Sequence, residues 1–319
     1  MQYRAFADTD IMLSELTFGT MRYVSGLYEG DETEGKRALE EALASGVNAI
    51  HSSYEYGTRW ATGDVLKAHP KRHEIHHIIK APVPDYDDAD FDPAKFRRLV
   101  EDALRELHAE RISIVQHLQR GVDKAIIYDE RGDPARIAAM PAVNERLQAA
   151  FEDLRAEGKV GALACFPHTP GFAAAAVASG AFQRLVAFFS LVETELVPLF
   201  DDMRDRGMSF VTMRSLLQGL LSNKRARRAD LAADDPKRGP EWDVPYRRFE
   251  RIQEALGTDV RSWSELAVKF ALSDPLFPSV IISTNTVDQL RGVLAAADGT
   301  YPGPELISRI HALNTSDGA

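Results

Sequence analysis

The chain has 319 residues, 45% of them hydrophobic and 27% charged, with a formal net charge of −10. That length accommodates one large domain with a sizeable core, and the acidic balance excludes the concentrated basic face that a nucleic-acid or anionic-membrane partner requires. One cysteine, Cys165, excludes an internal disulfide, and no apolar run approaches the roughly 20 residues of a membrane helix.

The opening Met1-Gln2-Tyr3-Arg4 lacks the basic stretch and apolar core of a secretory signal, so a soluble cytoplasmic protein is expected. Glu15–Phe18 is the first predicted strand. Ala38, Leu39, Ala42 and Leu43 then share one helix face, Gly46 stops that helix, and Asn48–His51 follows as a strand. Glycine suits the left-handed position just past a helix. Ile75–Lys80 is the third strand. Asp92-Pro93 starts a helix with an apolar face of Phe96, Leu99, Val100, Ala103, Leu104 and Leu107, and Ile112–Gln116 comes next. Residues 118–141 are too long for a plain strand-to-helix connection. A stripe of Val143, Leu147, Ala150, Phe151 and Leu154 ends at Gly158, before the strand Val160–Cys165, in which Cys165 reads as a small buried hydrophobe. Leu185–Phe189 follows. Leu199, Phe200 and Met203 precede Gly207 and the strand Ser209–Met213. A second long segment, 221–245, is rich in charge, Gly and Pro, and Ser279–Ile282 is the last strand. Residues 314–319 read as a disordered tail.

Eight strands alternating with helices predict parallel pairing and right-handed crossovers. No linker divides the chain, so the expected fold is a single-domain (β/α)8 TIM barrel over 1–313 with long loops 118–141 and 221–245. An open doubly wound sheet, the alternative, would carry a Gly-rich phosphate fingerprint after an early strand, and the chain has none.

Barrel enzymes carry their chemistry at the carboxyl ends of the strands. Here those ends give His51, Lys80, His117, Phe166, Phe189, Met213 and Ser283, with Tyr56 in the loop after His51. A lysine closing an apolar strand needs a partner for its charge. A free tyrosine titrates at about 10, too high for efficient acid–base work near neutrality, and a neighbouring ammonium lowers that value. The residues suggest a scheme in which His117 orients a substrate carbonyl and Tyr56 protonates its oxygen as a hydride reaches the carbon. A hydride requires a cofactor such as a nicotinamide. The basic run Lys224, Arg225, Arg227 and Arg228 reads as a solvated loop.

Several pieces, in order, resemble the aldo-keto reductase superfamily over nearly the whole chain: Phe18-Gly19-Thr20-Met21, Gly46 to Ile50 leading into Tyr56-Gly57, Lys80, Gln116-His117, Glu157-Gly158-Lys159-Val160, Gly219-Leu220-Leu221 and Asp288-Gln289-Leu290. The resemblance implies a (β/α)8 oxidoreductase that moves hydride between a nicotinamide cofactor, NADPH in preference to NAD, and a carbonyl or alcohol of a small-molecule or sugar-like substrate. From the family's Asp, Tyr, Lys, His tetrad it implies Tyr56 as general acid, Lys80 as its partner and His117 as the carbonyl-orienting residue. His51 stands in the place of the Asp. It is expected to be neutral and able to accept a hydrogen bond from Lys80. Glu55 is a substitute carboxylate or, more simply, a loop-surface residue. The implied cofactor contacts are Gly19, Thr20, Met21, Met213, Arg214, Ser215, Leu216, Gly219, Ser283, Thr284, Asn285 and Gln289, with no metal.

The chain also departs from the family. Phe166-Pro167 replaces the Ser-Asn that holds the carboxamide, Phe188 replaces a Gln, and Met213 replaces the aromatic residue that stacks on the nicotinamide. Ser283-Thr284-Asn285-Thr286 replaces basic residues at the 2′-phosphate, so charge-assisted bonds are lost there. A rearranged cofactor site is implied. An isomerase or lyase working by proton transfer, or a nucleotide-binding regulatory subunit, are the other readings. A metal site through His51, His117 and Glu193 has suitable residue types without tight ligand spacing.

Overall fold

Eight parallel strands close on themselves in the computed structural model, which describes residues 1–86 and 88–315. A two-stranded antiparallel hairpin comes first, from β1 (Tyr3–Ala5) and β2 (Met12–Ser14). The barrel runs through β3 (Leu16–Gly19), β4 (Ala49–Ser52), β5 (His76–Pro82), β6 (Ile112–Leu118), β7 (Val160–Cys165), β8 (Arg184–Phe188), β9 (Ser209–Met213) and β10 (Val280–Ile282). Each strand pairs with the next, and β10 pairs back onto β3. This is the (β/α)8 barrel expected. All eight predicted strands are present, with ends displaced by at most two residues.

Helices pack outside. They are α1 (Glu32–Ala44), α2 (Arg59–Ala68), α3 (Pro93–Glu106), α4 (Asp133–Ala156), α5 (Pro170–Ser179) and α6 (Phe200–Asp205), one after each of β3 to β8. Then come α7 (Asp243–Leu256) and α8 (Trp263–Leu272) between β9 and β10, and α9 (Val287–Leu294) and α10 (Pro304–Thr315) at the end. Their starts follow capping chemistry. Asp31 accepts from the Glu34 amide ahead of α1, and Glu32 and Glu34 complement its dipole. Asp92 caps α3 with Pro93 in the first turn. Gly46, at φ 91°, turns the chain from α1 into β4. Among the described residues no helix is long and apolar enough to cross a membrane.

The register decides what faces the barrel interior. Residues paired side by side in a parallel sheet point the same way, and alternate residues point oppositely. Gly19 pairs with His51, His51 with Ile78, Ile78 with Ile114 and Ile114 with Ala162. One step higher, Lys80 pairs with Gln116 and Gln116 with Ala164. These residues therefore line the inside, and their neighbours Ala81, His117 and Cys165 face the helices. Cys165 is buried, as expected, and its thiol pKa is pushed up by burial.

Four features differ from the sequence expectations. The β1–β2 hairpin was not foreseen. It lies against the amino ends of the strands, where the Ser14 amide donates to Asn48 Oδ1 at 2.7 Å and the Asn48 amide to Ser14 Oγ at 3.0 Å. The first long loop is shorter than 118–141, because α4 already begins at Asp133 and runs through Pro141. Proline there costs the bond to the carbonyl one turn back, on Ile137, whose exposure lets water take its place. The second insertion likewise ends where α7 begins at Asp243. At the C-terminus α10 continues to Thr315, and the buried Asn314 donates to the Leu191 carbonyl at 2.7 Å. Residues 316–319 of the expected tail lie outside the described residues.

Candidate active site

Tyr56 sits on a single 3-10 turn, Tyr54–Tyr56, just beyond β4. Ser53 caps that turn by accepting from the Glu55 amide, and Gly57, at φ 67°, ends it. The turn brings Tyr56 back over the barrel mouth, where only 6% of it is exposed. Lys80 rises from inside β5 and sets its Nζ 5.1 Å from the centre of the Tyr56 ring and 5.9 Å from that of Phe166. Burial works against the ammonium, but the charge and hydrogen bond of Tyr56 outweigh it and hold the Lys80 pKa above the usual lysine range. The two residues named from the sequence as acid and partner are thus adjacent.

His51 lies below them, 2% exposed. Its Nε2 is 2.8 Å from Gln116 Oε1. The Gln116 amide nitrogen donates to the Val186 carbonyl at 2.8 Å and lies 3.7 Å from Met213 Sδ. That orientation leaves Oε1 as the acceptor, so His51 carries its proton on Nε2. Burial, and then the Lys80 charge, push the His51 pKa down to about 3, so the ring is neutral. Its ring centre is 6.2 Å from that of Tyr56. The expected hydrogen bond to Lys80 is not among those the described residues make. Glu55 is neither a partner for Lys80 nor a free surface group. It clamps Arg120 with bonds of 2.8 and 3.0 Å, and Arg120 also bonds Asp85.

His117 is not brought to the site. Its side chain points out through the wall, donates from Nε2 to the Val83 carbonyl at 2.7 Å, and is flanked by Phe91 and Phe182 at 6.2 Å each. Burial lowers its pKa to about 4. The inward position above Gln116 is Leu118, which pairs with Pro82. β6 presents Gln116 inward and His117 outward, so the residue expected to orient the carbonyl lies apart from Tyr56, Lys80 and His51. The alternation begun by Ile112 and Ile114 carries on to Gln116. The metal reading fails on the same geometry. His51 faces in and His117 out, and Glu193 is paired with Arg214 at 2.9 Å.

The expected cofactor residues gather on the β3, β9 and β10 side. Gly19 and Ser283 meet so closely that a Cβ on Gly19 would lie 2.6 Å from Ser283 Oγ. Thr20 donates to the His51 carbonyl at 3.2 Å and accepts on its own carbonyl from Thr58. Met213 packs beneath Gln116. Beyond it the backbone is strained, because Arg214, Leu217 and Gln218 have φ of 64°, 46° and 55°, and Gly219 of 89°. Ser215 Oγ, Arg214 Nε and Thr284 Oγ1 are buried with no partner. Asn285 donates its amide to Gln289 Oε1 at 3.0 Å, and Thr286 caps α9. Met21 and Leu216 are half-buried beside these segments. The basic run belongs to none of this. Arg225, Arg227 and Arg228 pair with Asp235, Asp230 and Asp243 inside their own insertion.

Comparisons with known proteins bear on the family and the fold. Residues 15–314 match the Aldo/keto reductase family. Two oxidoreductases of Bacillus subtilis, YrpG and YqkF, both described as uncharacterized, are each 23% identical to the chain. The YrpG match spans 93% of this chain and 91% of YrpG, and the YqkF match 99% and 98%. Among solved structures, the holo form of aldo-keto reductase AKR11C1 from Bacillus halodurans superposes with a TM-score of 0.73 at 22% identity, covering 98% of this chain and 96% of that one. Glycerol dehydrogenase AKR11B4 from Gluconobacter oxydans gives 0.71 at 21%, covering 98% and 94%. A family match across 15–314 and a closed eight-stranded barrel lead to one conclusion: the chain belongs to the aldo/keto reductase family and is an oxidoreductase of that family.

Proposed function

We propose that the chain reduces a small carbonyl compound, or oxidises the alcohol, with NADPH preferred over NADH, using Tyr56 as the proton donor and Lys80 as its charge partner. The observation that carries this reading is the Lys80 ammonium 5.1 Å from the Tyr56 ring at the inner rim. An ammonium there favours the negative charge that the phenol oxygen takes on as it gives up its proton. Neutral His51 adds no second positive charge beneath Lys80. Its bond to Gln116 fixes the floor on which Lys80 stands.

The residues fit a nucleotide cofactor on the β9–β10 side. Ser215 and Thr284 hold buried hydroxyls without partners, beside a backbone held in left-handed conformations. Those hydroxyls would take up polar groups of the cofactor, and Met213 would lie under its ring. The cofactor supplies the hydride that no side chain can. Phe166 and Phe188, packed edge to face, give Lys80 an apolar flank that would limit water at the reacting atoms.

The same two phenylalanines favour a second reading. They face inward where the resemblance led one to expect amide-binding polar groups, which suits a site that moves protons without hydride. Titration of NADPH and NADH against the protein, followed by nicotinamide fluorescence, separates the two readings. Saturable NADPH binding and its oxidation by an aldehyde are expected, with a loss of about 10²–10⁴-fold in kcat for Tyr56→Phe. Absence of binding by both nucleotides would overturn the redox reading, and an unimpaired Tyr56→Phe would remove Tyr56 as the donor.

A further inference from the structure

Tyr56 is carried by one turn that its own backbone supports weakly. The Tyr56 amide donates to the Ser53 carbonyl and the Gly57 amide to the Tyr54 carbonyl, each at 3.2 Å. Those bonds are at the long end of the ordinary range, and a single helical turn does not hold itself together in water. The Tyr56 carbonyl accepts from the Leu27 amide at 2.8 Å, but Leu27 is itself 58% exposed. The position of the phenol over Lys80 therefore needs a further support.

The two residues ahead of Tyr56 supply it. Tyr54 donates its hydroxyl to Asp85 Oδ2 at 3.1 Å. Glu55 receives both arms of the Arg120 guanidinium, at 2.8 and 3.0 Å, and one of those arms also reaches Asp85 Oδ1 at 2.8 Å. The side chains close a ring. Asp85 binds Tyr54 through one oxygen and Arg120 through the other, Arg120 binds Glu55, and the backbone joins Glu55 to Tyr54.

The far side of that ring is anchored. Beyond β5 and β6 the chain segments stay paired, with the Val83 amide donating to the Leu118 carbonyl at 3.2 Å, the Arg120 amide to Pro84 at 2.9 Å and the Gly121 amide to Asp85 at 3.1 Å. Arg120 is 5% exposed, and its guanidinium carbon lies 4.4 Å from the centre of the Tyr86 ring. A guanidinium fork on a carboxylate fixes angle as well as distance, which a lysine ammonium cannot do. Lys80 stands on β5 too, so the ring ties the turn bearing Tyr56 to the support that bears Lys80.

We propose that Arg120, braced by Asp85, is a positioning residue: through Glu55 and Tyr54 it sets where the Tyr56 hydroxyl stands relative to Lys80, without touching the reacting atoms. The proposal rests on Tyr56 as the proton donor, as proposed above, and two readouts keep the ideas separable. The full chain is labelled with ¹³Cζ-tyrosine, and the Tyr56 line is identified by its loss in Tyr56→Phe. Glu55→Gln keeps the shape and drops the charge, and Arg120→Lys keeps the charge and drops the fork. Each should shift, broaden or split the Tyr56 line. With NADPH and 4-nitrobenzaldehyde as the probe, kcat should fall about 10- to 100-fold for Arg120→Lys and about three- to tenfold for Glu55→Gln, while KM moves less than about threefold, since misplacing a reacting group by about 1 Å can cost about 10²-fold. Tyr54→Phe loses one bond at a half-exposed position and should lower kcat about twofold. Should Arg120→Lys fail to fold, the other two variants decide. A Tyr56 line unmoved by the substitutions overturns the proposal, and so does full kcat in them while Tyr56→Phe is impaired, or a loss confined to KM. If Tyr56→Phe keeps full activity, or NADPH is not oxidised at all, the donor reading falls and the tyrosine line alone decides whether Arg120 holds the turn.

Discussion

On the β4–β6 side of the rim, the inward polar groups are bonded to one another: His51 to Gln116, Gln116 onward to Val186, Lys80 against Tyr56. On the β9–β10 side, Ser215 Oγ, Arg214 Nε and Thr284 Oγ1 have no partners, and three residues other than glycine hold positive φ within five positions. A folded chain seldom leaves buried polar atoms unbonded or tolerates such backbone unless something else offsets the cost. The inward groups of the first region satisfy one another, whereas these atoms of the second are left without a partner from the protein. Pre-satisfied groups keep one charge state and one geometry, which suits proton transfer. Unsatisfied ones gain only when a partner arrives, which suits a cofactor that binds and leaves.

That contrast can be broken most strongly by acid. His51, His77 and His117 are buried in the first region, with pKa values pushed down to about 3, 4 and 4, burial being the main cause. Unfolded, each would titrate near its ordinary value of about 6.5. Between these limits the unfolded chain binds more protons, so stability falls as pH drops, by up to about 1.4 kcal/mol per pH unit for each histidine. Glu193, raised to about 6 by burial, acts the other way over the upper part of that range and offsets one of them. Guanidinium unfolding at pH 7 and pH 5 should show a loss of several kcal/mol, and equal stability at the two values would contradict the buried neutral histidines.

A smaller effect is expected from Gln116→Leu. It strands the His51 N–H and the Val186 carbonyl, at a cost of about 1–3 kcal/mol, read as a lowered midpoint of denaturant unfolding. Smallest is the effect of Ser215→Ala and Thr284→Val. Neither hydroxyl has a partner to lose, so the stability of the free protein should hold or rise slightly. NADPH affinity should fall about threefold to tenfold for each if the hydroxyls meet the cofactor. A fall in stability without a change in affinity would make them ordinary structural residues and erase the contrast.

Much of the barrel was legible because its punctuation is local. A glycine past each helix and an apolar run after it placed β4, β7 and β9 to within a residue. Lys80 stood out because a charge at the end of an apolar strand is costly without a partner. His117 stands out in the sequence as a titratable strand end, but the structure turns it toward the helix layer, one step from the inward Gln116. The β1–β2 hairpin was illegible because three-residue strands carry no usable period.

The pairing of β10 with β3 sets Ile281 beside Thr17. During synthesis the outer edge of β3 must therefore wait, with its amides and carbonyls unmatched, until the chain as far as β10 has left the ribosome. Closing so long a loop is entropically slow rather than prohibitive, but an open strand edge is a template for another nascent chain. Chaperone demand, and the tolerance of this protein to circular permutation, should both be governed by how soon that last strand arrives.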